Sequence, residues 1–234
     1  MLDLVDNEAL VLAVLGDRYR LPVDRLAPGR VAVAEAAHPS MPVRALVRAD
    51  GGAVVGVAPA WSGLLGERLD GPASVPTALA AVADALGAQV FSWVARTGVA
   101  IPVPEAPVTV LDATDPRLPG WVIGHFTGKA WVVLGDDGRV LATAVLKRYD
   151  DRLREISVGT DEAARGRGLA KAVTAAAARA VLEEGRAVLY NHDPDNHASA
   201  RVAEAVGLYE LGRCHVVVAE RGPEAAGAQG STSS

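Results

Sequence analysis

Arg165-Gly166-Arg167-Gly168-Leu169-Ala170 stands between two segments of different periodicity. Before it, Leu153, Glu155 and Ser157 alternate in facing with Arg154, Ile156 and Val158, a strand pattern that runs to about Thr160. After it, Gly168 to Glu184 places Leu169, Val173, Ala176, Ala177, Ala180 and Val181 on one side at helical spacing. A glycine loop that enters a helix leaves its first backbone N–H groups without intrahelical partners. Those donors and the positive end of the helix dipole together form a site for phosphate or pyrophosphate.

Working outward, Gly185 is a helix stop, Ala187 to Asn191 reads as a strand, and Asn196 to Val206 as a helix ending at Gly207. Leu211 to Val218 closes the half as a strand. Upstream, Ala130 to Leu134 and Val140 to Leu146 flank Gly135-Asp136-Asp137-Gly138, a hairpin signal. The order β-β-β-α-β-α-β predicts an α+β fold, a mixed and mostly antiparallel sheet flanked by helices. The first half repeats the opening faintly. Val43 to Arg48 and Ala53 to Ala58 flank Asp50-Gly51-Gly52, then Pro76 to Leu86 reads as a helix and Gln89 to Ala95 as a strand. That half is either a degenerate repeat or an unrelated, smaller α/β domain, and no glycine loop heads its helix. Pro102, Pro104, Pro107, Pro116 and Pro119 point to a linker or irregular crossover. The expected organisation is a first domain over 1–100, a linker over 101–119, a second domain over 120–220 and a disordered Ala/Gly/Ser tail over 221–234.

Composition narrows the function classes. With 234 residues, 50% hydrophobic and 22% charged, the chain can bury a full core. A net charge of −5 advertises no basic face, so no nucleic-acid partner is expected. Cys214 is the only cysteine, which excludes an intrachain disulfide and a thiolate cluster, and His125, His197 and His215 lack a metal-ligand spacing. The opening residues carry Asp3 and Asp6 where a signal peptide carries Lys or Arg. No run approaches the roughly 18 apolar residues of a membrane helix. A cytoplasmic protein without a membrane partner is the expectation.

The loop fails two nucleotide patterns. A dinucleotide fold wants a third glycine where Lys171 stands, and a Walker loop wants Gly-Lys-Ser/Thr. It does fit Arg/Gln-x-x-Gly-x-Gly/Ala through Arg165, Gly168 and Ala170. A second segment, Asp193-Pro194-Asp195-Asn196-His197-Ala198-Ser199 followed by Gly207-Leu208, matches Asn-x-x-Ala/Ser, a helix, and Gly with Leu for the usual aromatic. On these motifs the chain from about Trp121 to Val218 resembles the GNAT family of acyl-CoA N-acyltransferases.

The resemblance implies acetyl-CoA as co-substrate and no metal. It puts the pyrophosphate on the N–H groups of Gly166, Arg167, Gly168, Leu169 and Ala170. Arg165 and Arg167 either add charge-assisted bonds or are solvated surface arginines. Pantetheine would lie against the edge of the third strand at Val158, Gly159 and Thr160. Asn196 and Ser199 either reach that arm or cap the second helix. Family members also use a strand glutamate as base, which points to Glu155; its alternative is a carboxylate paired with Arg152, Arg154 or Lys147. The family's tyrosine acid, four residues before the closing glycine, corresponds to Ala203. That leaves His192 as the proton-exchanging candidate, or as a turn residue. Trp121 and Phe126 lie where the family lines its substrate pocket. The implied reaction is direct transfer to a primary amine of a small molecule or peptide, and the resemblance allows a homodimer. A CoA-binding module without turnover, and acylation of a protein or carrier-bound substrate, are the alternatives.

Overall fold

The computed structural model describes residues 3–38, 40–66 and 68–219; the expected disordered tail lies outside them. In chain order the helices are α1 (Leu4–Tyr19), α2 (Ser62–Gly66), α3 (Val75–Leu86), α4 (Leu169–Glu183) and α5 (His197–Ala205). The strands are β1 (Val31–Glu35), β2 (Val43–Arg48), β3 (Ala53–Val57), β4 (Ala88–Thr97), β5 (Thr109–Asp112), β6 (Lys129–Leu134), β7 (Val140–Arg148), β8 (Leu153–Thr160), β9 (Ala187–His192) and β10 (Tyr209–Ala219). None of the described helices is long and apolar enough to cross a membrane.

The chain divides into two compact units that do not follow its order. Among the described residues, one holds 3–14 and 95–211, and the other holds those from 15 to 94 together with 212–219. The division therefore differs from the linear one expected at residue 100. Part of the reason is α1, whose apolar spacing was in the sequence but was not read as a helix. Asn7 of α1 is fully buried and donates to Thr97 Oγ1 at 2.7 Å, and Thr97 Oγ1 donates to the Val188 carbonyl at 2.6 Å. That chain of bonds fixes the N-terminal segment to the C-terminal unit.

In the C-terminal unit β5, β6, β7 and β8 are antiparallel neighbours, β9 joins β8 in parallel, and the end of β4 follows β9. The α+β reading and the order of elements from β6 to β10 stand. The proline segment is more than a linker, because β5 begins two residues beyond Pro107 and pairs with β6. A short edge strand suits such a segment, since its outer N–H groups need no partner. One face of the sheet packs under α4, where Trp131, Ala144, Ile156, Val173, Val181 and Val188 form a core. The opposite face is covered by the loop before β6 through Ala113, Leu118 and Val122.

The other unit contains β1 parallel to β3, with β3 and β10 each antiparallel to β2. Helix α3 buries Val75, Leu79 and Val82 on its sheet and enters through the turn Pro72–Ser74 rather than a glycine loop. Arg44 is fully buried, and among the described residues it has no carboxylate partner. Its guanidinium donates to the carbonyls of Tyr19, Arg20, Ala36 and Met41, a cage that ties the end of α1 to the segment between β1 and β2. Burial, with Arg20 next, lowers its pKa to about 10.

Candidate active site

Strands β8 and β9 pair only at Leu153–Ala187, Arg154–Val188 and Glu155–Leu189, although both continue further. Beyond Glu155 they part. The register of β8 with β7 decides which backbone groups that exposes. Asp161 N–H bonds to the Leu141 carbonyl, in the same register as the Thr160–Ala142 and Val158–Ala144 pairs. Antiparallel ladders alternate, so Ser157 and Gly159 spend their backbone groups on β7 while Val158 and Thr160 turn theirs toward β9. There β9 no longer meets them. Gly159 contributes differently from Val158 and Thr160: a side chain at this position would place its Cβ 2.8 Å from the Trp121 indole. Trp121 in turn meets Phe126 edge-on at 5.8 Å.

The opening leads into a cavity of about 880 Å³ walled by β8, the head of α4 and the head of α5. At the α4 end, Gly166 and Gly168 both have φ of +77°, a conformation only glycine adopts without strain. The N–H groups of residues 166 to 170 make no hydrogen bond among the described residues, because the ladder begins with Lys171 and Ala172 donating to the Gly168 carbonyl. Unpaired donors at a helix start fit a phosphate. Arg165 lines the cavity and also stands 3.8 Å from Glu162, both side chains exposed. Lys171 and Arg201 line it too. Neither cation was expected from sequence to bind phosphate, although Lys171 lies three residues past Gly168 on the same helix. Arg167 is exposed and outside the cavity wall.

Asn196 caps α5, accepting the Ser199 N–H at 3.0 Å, and both residues line the cavity. Ala203 is fully buried in the core under α4 and α5. Leu208, in the position the family fills with an aromatic, packs in the same core. Gly207 closes α5 with φ of +81°, and a Cβ there would stand 2.6 Å from the Ala100 carbonyl.

The two expected catalytic residues are held unlike each other. Glu155 is the last residue of β8 paired with β9 and lies outside the cavity wall. Its Oε2 is buried with no hydrogen-bond partner, Arg152 being engaged by Asp150 and the Lys147 ammonium lying over the Tyr149 ring. His192 is 7% exposed and has both ring nitrogens occupied. Nδ1 lies 2.8 Å from the Asp193 carbonyl, which can only accept, so Nδ1 carries the proton. Nε2 then accepts from Arg96 Nε at 2.9 Å. Arg96 also donates to Glu204 at 3.1 Å and to the Leu208 carbonyl. This arrangement leaves no free nitrogen on His192 for the proton exchange expected of it. Tyr190, which is not among the residues expected from sequence, also lines the cavity, its buried hydroxyl near Ser199.

A family model described as the acetyltransferase (GNAT) family matches residues 99–208. Residues 99–208 are a GNAT acetyltransferase domain. Solved structures similar to the chain include a GCN5-related N-acetyltransferase-like protein from Streptococcus suis, with TM-score 0.47 and 18% identity over 92% of this chain and 99% of that one. A GNAT-family acetyltransferase from Colwellia psychrerythraea has TM-score 0.45 and 13% identity over 57% of each chain. A GCN5-related N-acetyltransferase from Sphaerobacter thermophilus has TM-score 0.45 and 15% identity over 78% of this chain and 60% of that one. The chain thus spans less than two thirds of the length of the latter two. No curated protein matches it. In the GNAT domain, the cavity's free N–H groups, cations and open strand edge form a donor set fit for a phosphorylated, amide-bearing co-substrate.

Proposed function

We propose that the protein transfers an acetyl group from acetyl-CoA to a primary amine of a small molecule or peptide, by direct attack in a ternary complex. One observation carries the reading: a single cavity joins a run of unpaired helix-start N–H groups to a strand edge whose neighbour has turned away. The first suits a pyrophosphate, the second an extended chain carrying amides. Acetyl-CoA would supply the activated acyl group as a thioester.

The chain's own residues do the rest. The N–H groups of residues 166 to 170, with Arg165, Lys171 and Arg201, hold the anionic end. Val158 and Thr160 offer backbone donors and acceptors to the extended arm, and Trp121 closes the wall over Gly159. Asn196 holds the head of α5 in place, and Ser199 offers a hydroxyl beside it. Glu155, on the face opposite α4 and with an unpaired Oε2, is the base that takes a proton from the incoming amine. His192 contributes by fixing Arg96.

Calorimetric titration with CoA, followed by a thiol-release assay over a panel of primary amines, tests the reading. Binding with turnover, and a loss of about 10²-fold in kcat on Glu155→Gln, are the expected results. Binding without turnover on any amine or on cell-extract proteins would favour a CoA-binding module, and modification of lysines alone would favour a protein acceptor.

A further inference from the structure

Glu155 and Asn191 share one face of the sheet, on neighbouring strands, at the point where those strands part. The other face is marked by Ile156 and Val158 of β8 and by Val188 and Tyr190 of β9, which pack in the core under α4. Alternation therefore puts Glu155, Leu189 and Asn191 on the face away from α4. Leu189 is the partner of Glu155 in the last pair of the ladder, and Asn191 stands two residues beyond it. With strands about 4.8 Å apart and a rise of about 3.3 Å per residue, that offset separates the two Cα atoms by roughly 8 Å. Each side chain ends in a buried acceptor: Glu155 Oε2 and Asn191 Oδ1 make no hydrogen bond among the described residues.

Two such atoms close together are costly. A buried oxygen left unpaired forfeits its bonds to water, and leucine would fill the Asn191 position without that loss. The cations near Glu155 in sequence are spent elsewhere. Arg152 is engaged by Asp150, Arg154 donates to the carbonyls of Asp150 and Leu153, and the Lys147 ammonium lies over the Tyr149 ring. What both oxygens lack is a donor, and a group with several N–H bonds supplies one to each. A primary ammonium does so and also answers the charge of the carboxylate. The placement suits an acceptor molecule as well. The cavity reaches the break between β8 and β9 from the α4 face, at Val158 and Tyr190, and the two oxygens stand on the other face.

We propose that Asn191 selects a primary amine as the acceptor, by accepting one N–H of its nitrogen while Glu155 takes a proton from it. The inference rests on the acyltransferase reading above. An ammonium arrives with three hydrogens. One passes to Glu155, one is released to solvent as the C–N bond forms, and the third stays on the amide nitrogen, bonded to Asn191 Oδ1. The C–S bond breaks with its electron pair on sulfur, and the thiolate takes a proton from solvent. An alcohol has one hydrogen to give. Once that has passed to Glu155, Asn191 Oδ1 is left unpaired, so the site discriminates nitrogen from oxygen acceptors.

The test pairs wild type with Asn191→Leu, which keeps the bulk of the side chain and offers no acceptor. By NMR on the CoA-bound protein, methylammonium chloride should shift the Asn191 side-chain amide resonances, assigned by their absence in the variant, and methanol should not. In the thiol-release assay, kcat/KM for primary amines should fall about 10- to 100-fold in Asn191→Leu, with the Kd for CoA unchanged. Its melting temperature should hold or rise, because an unpaired buried oxygen has been removed; a merely structural asparagine would lower it. Asn191→Asp, which keeps an acceptor oxygen, should retain most of the amine turnover, and it serves for the assignment if the leucine variant does not fold. Asn191 resonances that ignore methylammonium, or that move equally with methanol, overturn the proposal. So does full turnover by Asn191→Leu, or a loss that CoA affinity shares. Failure of wild type to turn over any amine while it binds CoA overturns the acyltransferase reading, and leaves the methylammonium shift to decide the amine site on its own.

Discussion

Replacing Gly168 by alanine gives a sharp test of the loop, because space and backbone conformation can be separated there. A Cβ on Gly168 meets nothing within 4 Å, so the substitution creates no clash. Its φ of +77° is another matter. An L-residue held in the left-handed region costs about 1–2 kcal/mol. If the free loop stays put, the cost appears as lost stability. If it relaxes, binding must restore the native turn, and the cost appears as affinity. At about 1.4 kcal/mol per tenfold change, the latter limit is a 5- to 30-fold rise in the Kd for CoA, roughly. Asparagine tolerates positive φ better, so Gly168→Asn should lose less than Gly168→Ala. Gly63, which also has open space around it but no positive φ, is the control, and Gly63→Ala should be neutral or slightly stabilising. Calorimetry for CoA and thermal melts on all three variants read the two shares together. Unchanged melting and unchanged Kd in Gly168→Ala would refute the argument.

Three further outcomes are expected. Asn196→Ala removes the cap on α5 and should cost about 1 kcal/mol, a fall in Tm of about 2–4 °C, whereas Asn196→Asp should keep most of it; equal melts for both would contradict the capping role. The buried Cys214 thiol is pushed up to about 12 by desolvation, so a thiol reagent at mildly alkaline pH should label none of the native protein and one cysteine per chain after unfolding. His215, bonded to Ser92 at 2.7 Å, is held below its ordinary value of 6.5 by burial and then by Arg213. The unfolded chain therefore binds that proton more readily, and stability is lost as the pH falls below about 6.5, by at most about 1.4 kcal/mol per pH unit. Denaturant midpoints across that range should slope less in His215→Gln than in wild type.

What was legible in the sequence was local. The loop at residues 165–170, the start of α4 and the cap at Asn196 depend on neighbours within a few positions, and β8 was read at its observed limits, Leu153–Thr160. What was not legible depends on where strands stop meeting. Alternation along β9 puts Val188, Tyr190 and His192 on one face, but only the end of pairing at Glu155–Leu189 makes Tyr190 a cavity residue. Likewise His192 looked available in sequence because its partner Arg96 lies 96 positions away. Gly159 was read as strand edge, and its neighbour's backbone faces the opening instead, since that parity follows from the β7 register. The edge strand β5 was hidden by the prolines around it, and α1 by attention to its acidic start.

The account's central claim is that the opening between β8 and β9 and the loop at residues 165–170 form one CoA site. A crystal structure of the protein with CoA tests it most directly. The predicted result is pyrophosphate on the N–H groups of Gly166 to Ala170 and pantetheine along Val158 and Thr160. CoA bound elsewhere, with this cavity empty, would contradict it.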